Sequence, residues 1–178
     1  MPRRHPTLPT IWLMTDERQG TTLWDALGAL PRGAGVVVRH YATPDRAELL
    51  ARVERIAKRR GLVVVGAGLR ASGGSHGGRR RRGLLTRSAH NRGEIVAAIR
   101  SGADAVFVSP VFVTRSHPGA GALGVVRFGL MTRGLRIPVI ALGGTDVRKA
   151  RHLKQLGVHG WAGIDAFAPL QKRKAVPT

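Results

Sequence analysis

A repeated beat constrains this chain more than any other feature. A short, wholly apolar run gives way to a small or polar loop and then to a segment with one apolar stripe. Residues 11–15, 36–39, 62–65, 83–86, 105–109, 137–142 and 161–164 read as strands. Residues 22–30, 45–60, 91–101, 123–133 and 146–156 read as helices. The segment 45–60 is the clearest. Pro44 precedes it, Ala47, Leu50, Val53, Ile56 and Ala57 form the stripe, and Gly61 ends it. In 91–101, Ile95, Ala98 and Ile99 are expected to face inward, with Gly102 as the C-terminal cap. Strands apolar on both faces and alternating with helices belong to a parallel sheet, because crossover helices cover both sides. An open doubly wound sheet and a closed barrel satisfy this pattern equally.

One stretch breaks the beat. Residues 66–82, GAGLRASGGSHGGRRRR, carry almost no apolar side chains and are expected to form an irregular or disordered loop. The chain has 178 residues, whereas compact barrels typically need about 200 or more. Any barrel must therefore be trimmed, and 66–82 is the place. Residues 1–178 are read as one domain, with 169–178 as a tail.

Thirty basic residues against ten acidic give a formal charge of +20. Such a charge suits polyanions. The basic residues are spread along the chain, however, and only Arg79 to Arg82 form a run, read as a solvated loop. Aromatic residues are 4%, too few for a base-stacking platform, so no specific nucleic-acid partner is expected. The absence of cysteine excludes disulfides and thiolate metal sites. With no apolar run of about 20 residues and no signal-peptide pattern, no membrane partner is expected and the cytoplasm is the expected location.

In either parallel architecture, ligands sit beyond the carboxyl ends of the strands. Asp16, Arg39, His40, Tyr41, Gly66, Ser88, His90, Gly143, Gly144, Ile164 and Asp165 fall there, with the loop SPVFVTRSHPGAGALG at 109–124. In ALGGTD, a glycine pair precedes Thr145 and Asp146, either of which can cap the next helix. That exposes backbone N–H groups to an anion; a plain strand-to-helix turn is the alternative. His90 can serve as a general base, yet SAHNRGE also reads as a helix start with Asn91 as cap and Glu94 in the capping-box position. His117, beside Arg115 and Ser116, reads as an anion contact. Asp104, at the opposite end of its strand, reads as structural. No His and carboxylate spacing suggests a metal site.

Taken in order, SAHNRGE, GADAVFVSPVFVTRSHPGAGALG, IPVIALGGTD and GVHGWAGIDAF resemble the thiamine phosphate synthase family with its TenI-like members, which are (β/α)8 TIM barrels. IWLMTDER resembles the family's first strand, and ASGGSHGG a worn fourth-strand segment with His76 at its histidine. The resemblance implies a barrel with shortened third and fourth units. It also implies a thiazole phosphate held by Thr114, Ser116 and His117 (the family's Thr-x-Thr-Lys loop) and by backbone amides at Gly143, Gly144, Ile164 and Asp165. Asp165 stands where the family has a hydroxyl residue. Of the family's pyrimidine pyrophosphate motif after strand two, Arg39 remains, while Val37, His40 and Tyr41 replace its glutamine, glutamate and lysine.

The family's magnesium carboxylates have no counterpart here: Gly66, Gly77 and Gly78 stand in their place. No cofactor is expected unless the chain is a synthase, which would need Mg²⁺. The expected activity is TenI-like tautomerisation of a thiazole carboxylate phosphate, with His90 as the proton carrier. The alternatives are thiamine phosphate synthesis, joining hydroxymethylpyrimidine pyrophosphate to hydroxyethylthiazole phosphate, and a non-catalytic phosphate-binding barrel. Thiazole phosphate is the expected small-molecule partner, and a homo-oligomer is open.

Overall fold

The computed structural model describes residues 8–80, 82–114 and 121–167. Eight parallel strands close into a barrel in chain order: β1 (Ile11–Met14), β2 (Gly35–Val38), β3 (Val63–Ala67), β4 (Gly74–His76), β5 (Leu84–Ala89), β6 (Ala105–Val108), β7 (Val139–Ala141) and β8 (Gly160–Gly163). β8 pairs with β1, so no sheet edge remains. Periodicity left open sheet and barrel undecided; ring closure decides for the barrel.

Alternating strand residues feed two cores. Trp12, Met14, Val37, Val65, Leu84, Phe107, Ile140 and Ala162 fill the interior, with the Trp12 and Phe107 rings edge to face at 5.3 Å. Gly35 is required beside Trp12, because a Cβ there would overlap the indole. The outward residues pack against the helices α1 (Thr22–Ala29), α2 (Arg46–Arg60), α3 (Arg92–Arg100), α4 (Gly124–Thr132) and α5 (Val147–Lys154). α2 buries Leu50, Val53 and Ala57 and ends at Gly61, whose left-handed φ of 66° forms the expected cap. α3 buries Ile95 and Ala98, but Ile99 is exposed, against the expected inward set.

The third and fourth units are short, as expected, and among the described residues no helix follows β3 or β4. Segment 66–82 requires a correction, since it contains the end of β3 and the whole of β4. A Cβ at Gly73 or Gly74 would strike the backbone of the adjacent strand, so glycine is what allows this strand to sit in the wall. Apolar pattern gives no signal for a strand built this way. The arginine run is also more than solvated loop. Arg80 donates to the Gly102 carbonyl and pairs with Asp104 at 3.0 Å, and Arg87 reaches back to Gly78 O. Asp104 also accepts from Leu85 N at 2.7 Å, in keeping with a structural role at the end away from the mouth.

Candidate functional site at the mouth of the barrel

The carboxyl ends of β2 and β5–β8 enclose a cleft of about 560 Å³. Its wall brings together Arg39, Ser88, His90, Ser109, Thr114, Gly143, Gly144, Thr145, Asp146, Ile164 and Asp165. Of the sequence-derived residues, Arg39, Ser88, His90, Thr114, Gly143, Gly144, Ile164 and Asp165 share this cleft, whereas Asp16, His40, Tyr41 and Gly66 do not line it. Ser116 and His117 lie outside the described residues.

The β7 end makes one side. Gly143 and Gly144 have φ of 92° and 60°, and a Cβ on either would run into the Pro110–Val113 stretch packed against them. Phe112 N donates to Gly143 O at 3.0 Å, tying this turn to the loop after β6. Asp146 caps α5 by accepting from Lys149 N at 2.9 Å, and the buried Thr145 hydroxyl donates to Ala162 O on β8. Of the two expected cap residues, Asp146 is the one used. Among the described residues, no hydrogen bond engages the backbone N–H of Gly143, Gly144, Thr145, Ile164 or Asp165. Of these residues Thr145 is buried, Gly143, Gly144 and Ile164 are half-buried and Asp165 is exposed, and all five line the cleft.

His90 lines the same cleft from the end of β5. Its Nδ1 lies 2.8 Å from Ser109 O, and a carbonyl only accepts, so Nδ1 carries a proton and, in the neutral imidazole, Nε2 has the lone pair. The helix start read in SAHNRGE is present in modified form. Asn91 caps Glu94 N at 2.9 Å, while Glu94 accepts from His90 N and from Asn91 Nδ2. His90 thus sits at the helix start and also lines the cleft.

The β1–β4 side differs from what the resemblance implied. Arg39 is engaged with Asp16 at 3.0 Å and with Thr15 O. The second Asp16 oxygen pairs with Arg18 at 2.7 Å. Burial pushes the Asp16 carboxyl upward, but hydrogen bonds from Arg18 and the charges of Arg18 and Arg39 outweigh it and hold the pKa below the usual value. His40, at φ 26°, turns inward to hydrogen-bond Thr15, and burial lowers its pKa.

His76 is buried at the end of β4 between Thr86 Oγ1 at 2.9 Å and Ser88 Oγ at 3.1 Å, with the Phe107 ring edge-on at 5.4 Å. Burial, with repulsion from Arg39 and Arg87, pushes its pKa down to about 4, so it is neutral near pH 7. Sequence reading did not place Thr145 and Ser109 in the wall of the cleft, nor Lys149 against the Gly144 carbonyl. Only the helix start around Asp146 offered a hint of the last.

The donor set does not fit Mg²⁺. The β3 and β4 ends offer Gly66, Gly68, Gly77 and Gly78, and both oxygens of Asp16 are held by arginines. Among the described residues, no group of three or more His, Cys, Asp or Glu side chains could hold a metal ion.

The model of the thiamine monophosphate synthase family, TMP-TENI, matches residues 79–167, half of the chain. The chain belongs to this family. Thiamine-phosphate synthase of Geobacillus thermodenitrificans is 37% identical over 95 residues, 52% of this chain and 42% of the relative. That of Chloroflexus aurantiacus is 36% identical over 84 residues, 47% and 39%. The match therefore spans about two fifths of these curated relatives' length. A solved structure of thiamine phosphate pyrophosphorylase from Pyrococcus furiosus superposes with a TM-score of 0.74 at 20% identity, covering 96% of this chain and 93% of that one. At that identity the likeness is one of fold. The family match begins just before β5 and takes in every element of the cleft's β5–β8 side. Among the described residues, no helix is long and apolar enough to cross a membrane.

Proposed function

We propose that this family member binds a thiazole phosphate in the cleft and tautomerises a thiazole carboxylate phosphate within thiamine biosynthesis. One observation carries the reading: five residues at the ends of β7 and β8, whose backbone N–H groups have no partner among the described residues, line the same cleft as His90. Converging N–H groups suit a phosphate dianion, since they need no desolvated cation of their own. Thr114, Ser116 and His117 would complete the grip from the loop after β6.

Tautomerisation moves a proton without changing net charge. His90 Nε2 takes the proton from one ring atom and returns it to another, while Ser109 O stabilises the transient imidazolium through Nδ1–H. Arg39 and Ser88 also line the cleft and are the polar side chains proposed to meet the carboxylate, Arg39 while keeping its bond to Asp16 and Ser88 its bond to His76.

The second reading, condensation of hydroxymethylpyrimidine pyrophosphate with hydroxyethylthiazole phosphate, is favoured by the relatives, which are named thiamine-phosphate synthases. On names, the comparisons weigh more toward it than toward tautomerisation. Against it stands the β1–β4 side, outside the family match, where carboxylates for Mg²⁺ are missing and Arg39 is already paired. Binding of a thiazole phosphate is common to both readings.

Two assays run side by side separate them. One supplies both phosphorylated precursors with Mg²⁺ and follows thiamine phosphate; the other follows tautomerisation. Tautomerase turnover that falls about 10² to 10⁴-fold in His90→Asn, with thiazole phosphate affinity kept, supports the first reading. Mg²⁺-dependent condensation by the wild type overturns it in favour of the second. Binding without turnover in either assay leaves a non-catalytic barrel.

A further inference from the structure

We propose that Lys149 is a positioning residue of the phosphate cup, locking the Gly143–Gly144 turn to the loop after β6 so that the free amides converge on one anion. The inference rests on the phosphate-binding reading above.

Lys149 sits in the first turn of α5, where its own N–H is taken by the Asp146 cap. Its side chain folds back past the cap, and Nζ donates to Gly144 O at 2.7 Å. The ammonium also lies 5.0 Å from the centre of the Phe112 ring, within cation–π range. Lys149 therefore holds both loops at once, the turn through a carbonyl and the β6 loop through an aromatic face. Phe112 N on Gly143 O adds a third tie, and Gly144 is packed so closely that a Cβ would overlap Val113 O.

The peptide following Gly144 is planar, so its C=O and the Thr145 N–H point in opposite directions. A cation on that carbonyl fixes the plane and polarises the Thr145 N–H, which no described group accepts. The placement runs against local preference. The start of a helix favours acids, yet the first turn of α5 contains no acidic residue and carries Arg148 and Lys149. A departure of this kind is expected where a side chain serves a site rather than its helix. Asp146 and Asp165 also line the cleft and repel an anion, so a fixed ammonium one peptide away offsets part of that repulsion.

The test uses the full chain with hydroxyethylthiazole phosphate, unphosphorylated hydroxyethylthiazole and inorganic phosphate as calorimetric probes. Lys149→Met keeps an apolar stem against Phe112 and removes the donor; Lys149→Arg restores a donor. Expected is a loss of roughly tenfold in affinity for hydroxyethylthiazole phosphate and for inorganic phosphate in Lys149→Met, as for one charge-assisted hydrogen bond acting through a neighbour. Affinity for the unphosphorylated thiazole should hold, and Lys149→Arg should recover much of the loss.

An equal fall for both thiazoles, or undiminished phosphate affinity in folded Lys149→Met, overturns the inference and leaves the phosphate site standing. If Lys149→Met does not fold, Phe112→Leu, which removes the ring beneath the ammonium, is read by the same criteria. A wild type that binds neither hydroxyethylthiazole phosphate nor inorganic phosphate refutes the phosphate reading itself, and this inference with it.

Discussion

Replacing His76 with glutamine should flatten the dependence of stability on pH. In the folded chain the imidazole is enclosed by Thr86, Ser88 and Phe107, and its pKa falls from the ordinary 6.5 to about 4. Unfolded, it titrates normally. Between pH 6.5 and 4 the unfolded state therefore binds more protons than the folded state, and stability falls as pH falls through that window. The gap is worth about 3 kcal/mol by pH 4. That is a large share of the ~5–15 kcal/mol that holds a typical domain together.

Other groups contribute to the wild-type curve. His40, also depressed by burial, acts in the same direction, whereas Asp16 and Glu17 have lowered carboxyl pKa values and lose their contribution only as pH falls below the usual carboxylate range. His76→Gln shares all of these, so the difference between the two curves isolates His76. Urea unfolding at pH 7.5, 6, 5 and 4 should show the variant less stable at pH 7.5 and the gap closing by about 3 kcal/mol at pH 4. Parallel curves, or an NMR titration placing folded His76 near 6.5, would refute the reasoning.

Gly144→Ala puts a Cβ against Val113 O and Phe112 at a φ of 60°, and is expected to cost more than about tenfold in phosphate affinity by calorimetry. Unchanged affinity would place the anion elsewhere. Asp104→Ala strands Leu85 N–H and releases Arg80, and should lower stability by about 1–3 kcal/mol in urea unfolding. Catalysis per folded molecule should be untouched, because the residue lies at the far end of the barrel.

The parts of the fold legible in the sequence are those in which the strands announce themselves. Each of the segments around Val36, Val106 and Ile140 is an apolar run followed by a striped helix, and each became a βα unit. The exception, β4, is Gly-Ser-His, and its strand geometry depends on glycines that let neighbouring backbones approach. No hydrophobic period encodes that; the family resemblance around His76 was the clue. The glycine pair at 143 and 144 was legible because its position at a strand end carries a physical meaning. Arg39 was legible as a mouth residue, but its bond to Asp16 was not, because a partner 23 residues away depends on how β1 and β2 register. Lys149 escaped notice for a similar reason: its role follows from the direction of its side chain, which spacing along a helix start does not give.

Among the described residues, the absence of helices after β3 and β4 also divides the barrel by the kind of force that closes it. After β1, β2, β5, β6 and β7 the outer layer is an apolar helix face, which water cannot replace. Around β4 it is loop backbone, glycine and the half-exposed Arg80–Asp104 pair, contacts that solvent can exchange at small cost. Opening at this seam sacrifices little buried apolar surface, so amides of β4 and its flanking loops should exchange with deuterium well before those of β6 and β7. The cup at β7 and β8 lies across the barrel from that seam. The molecule can therefore loosen one wall while keeping its binding groups in register.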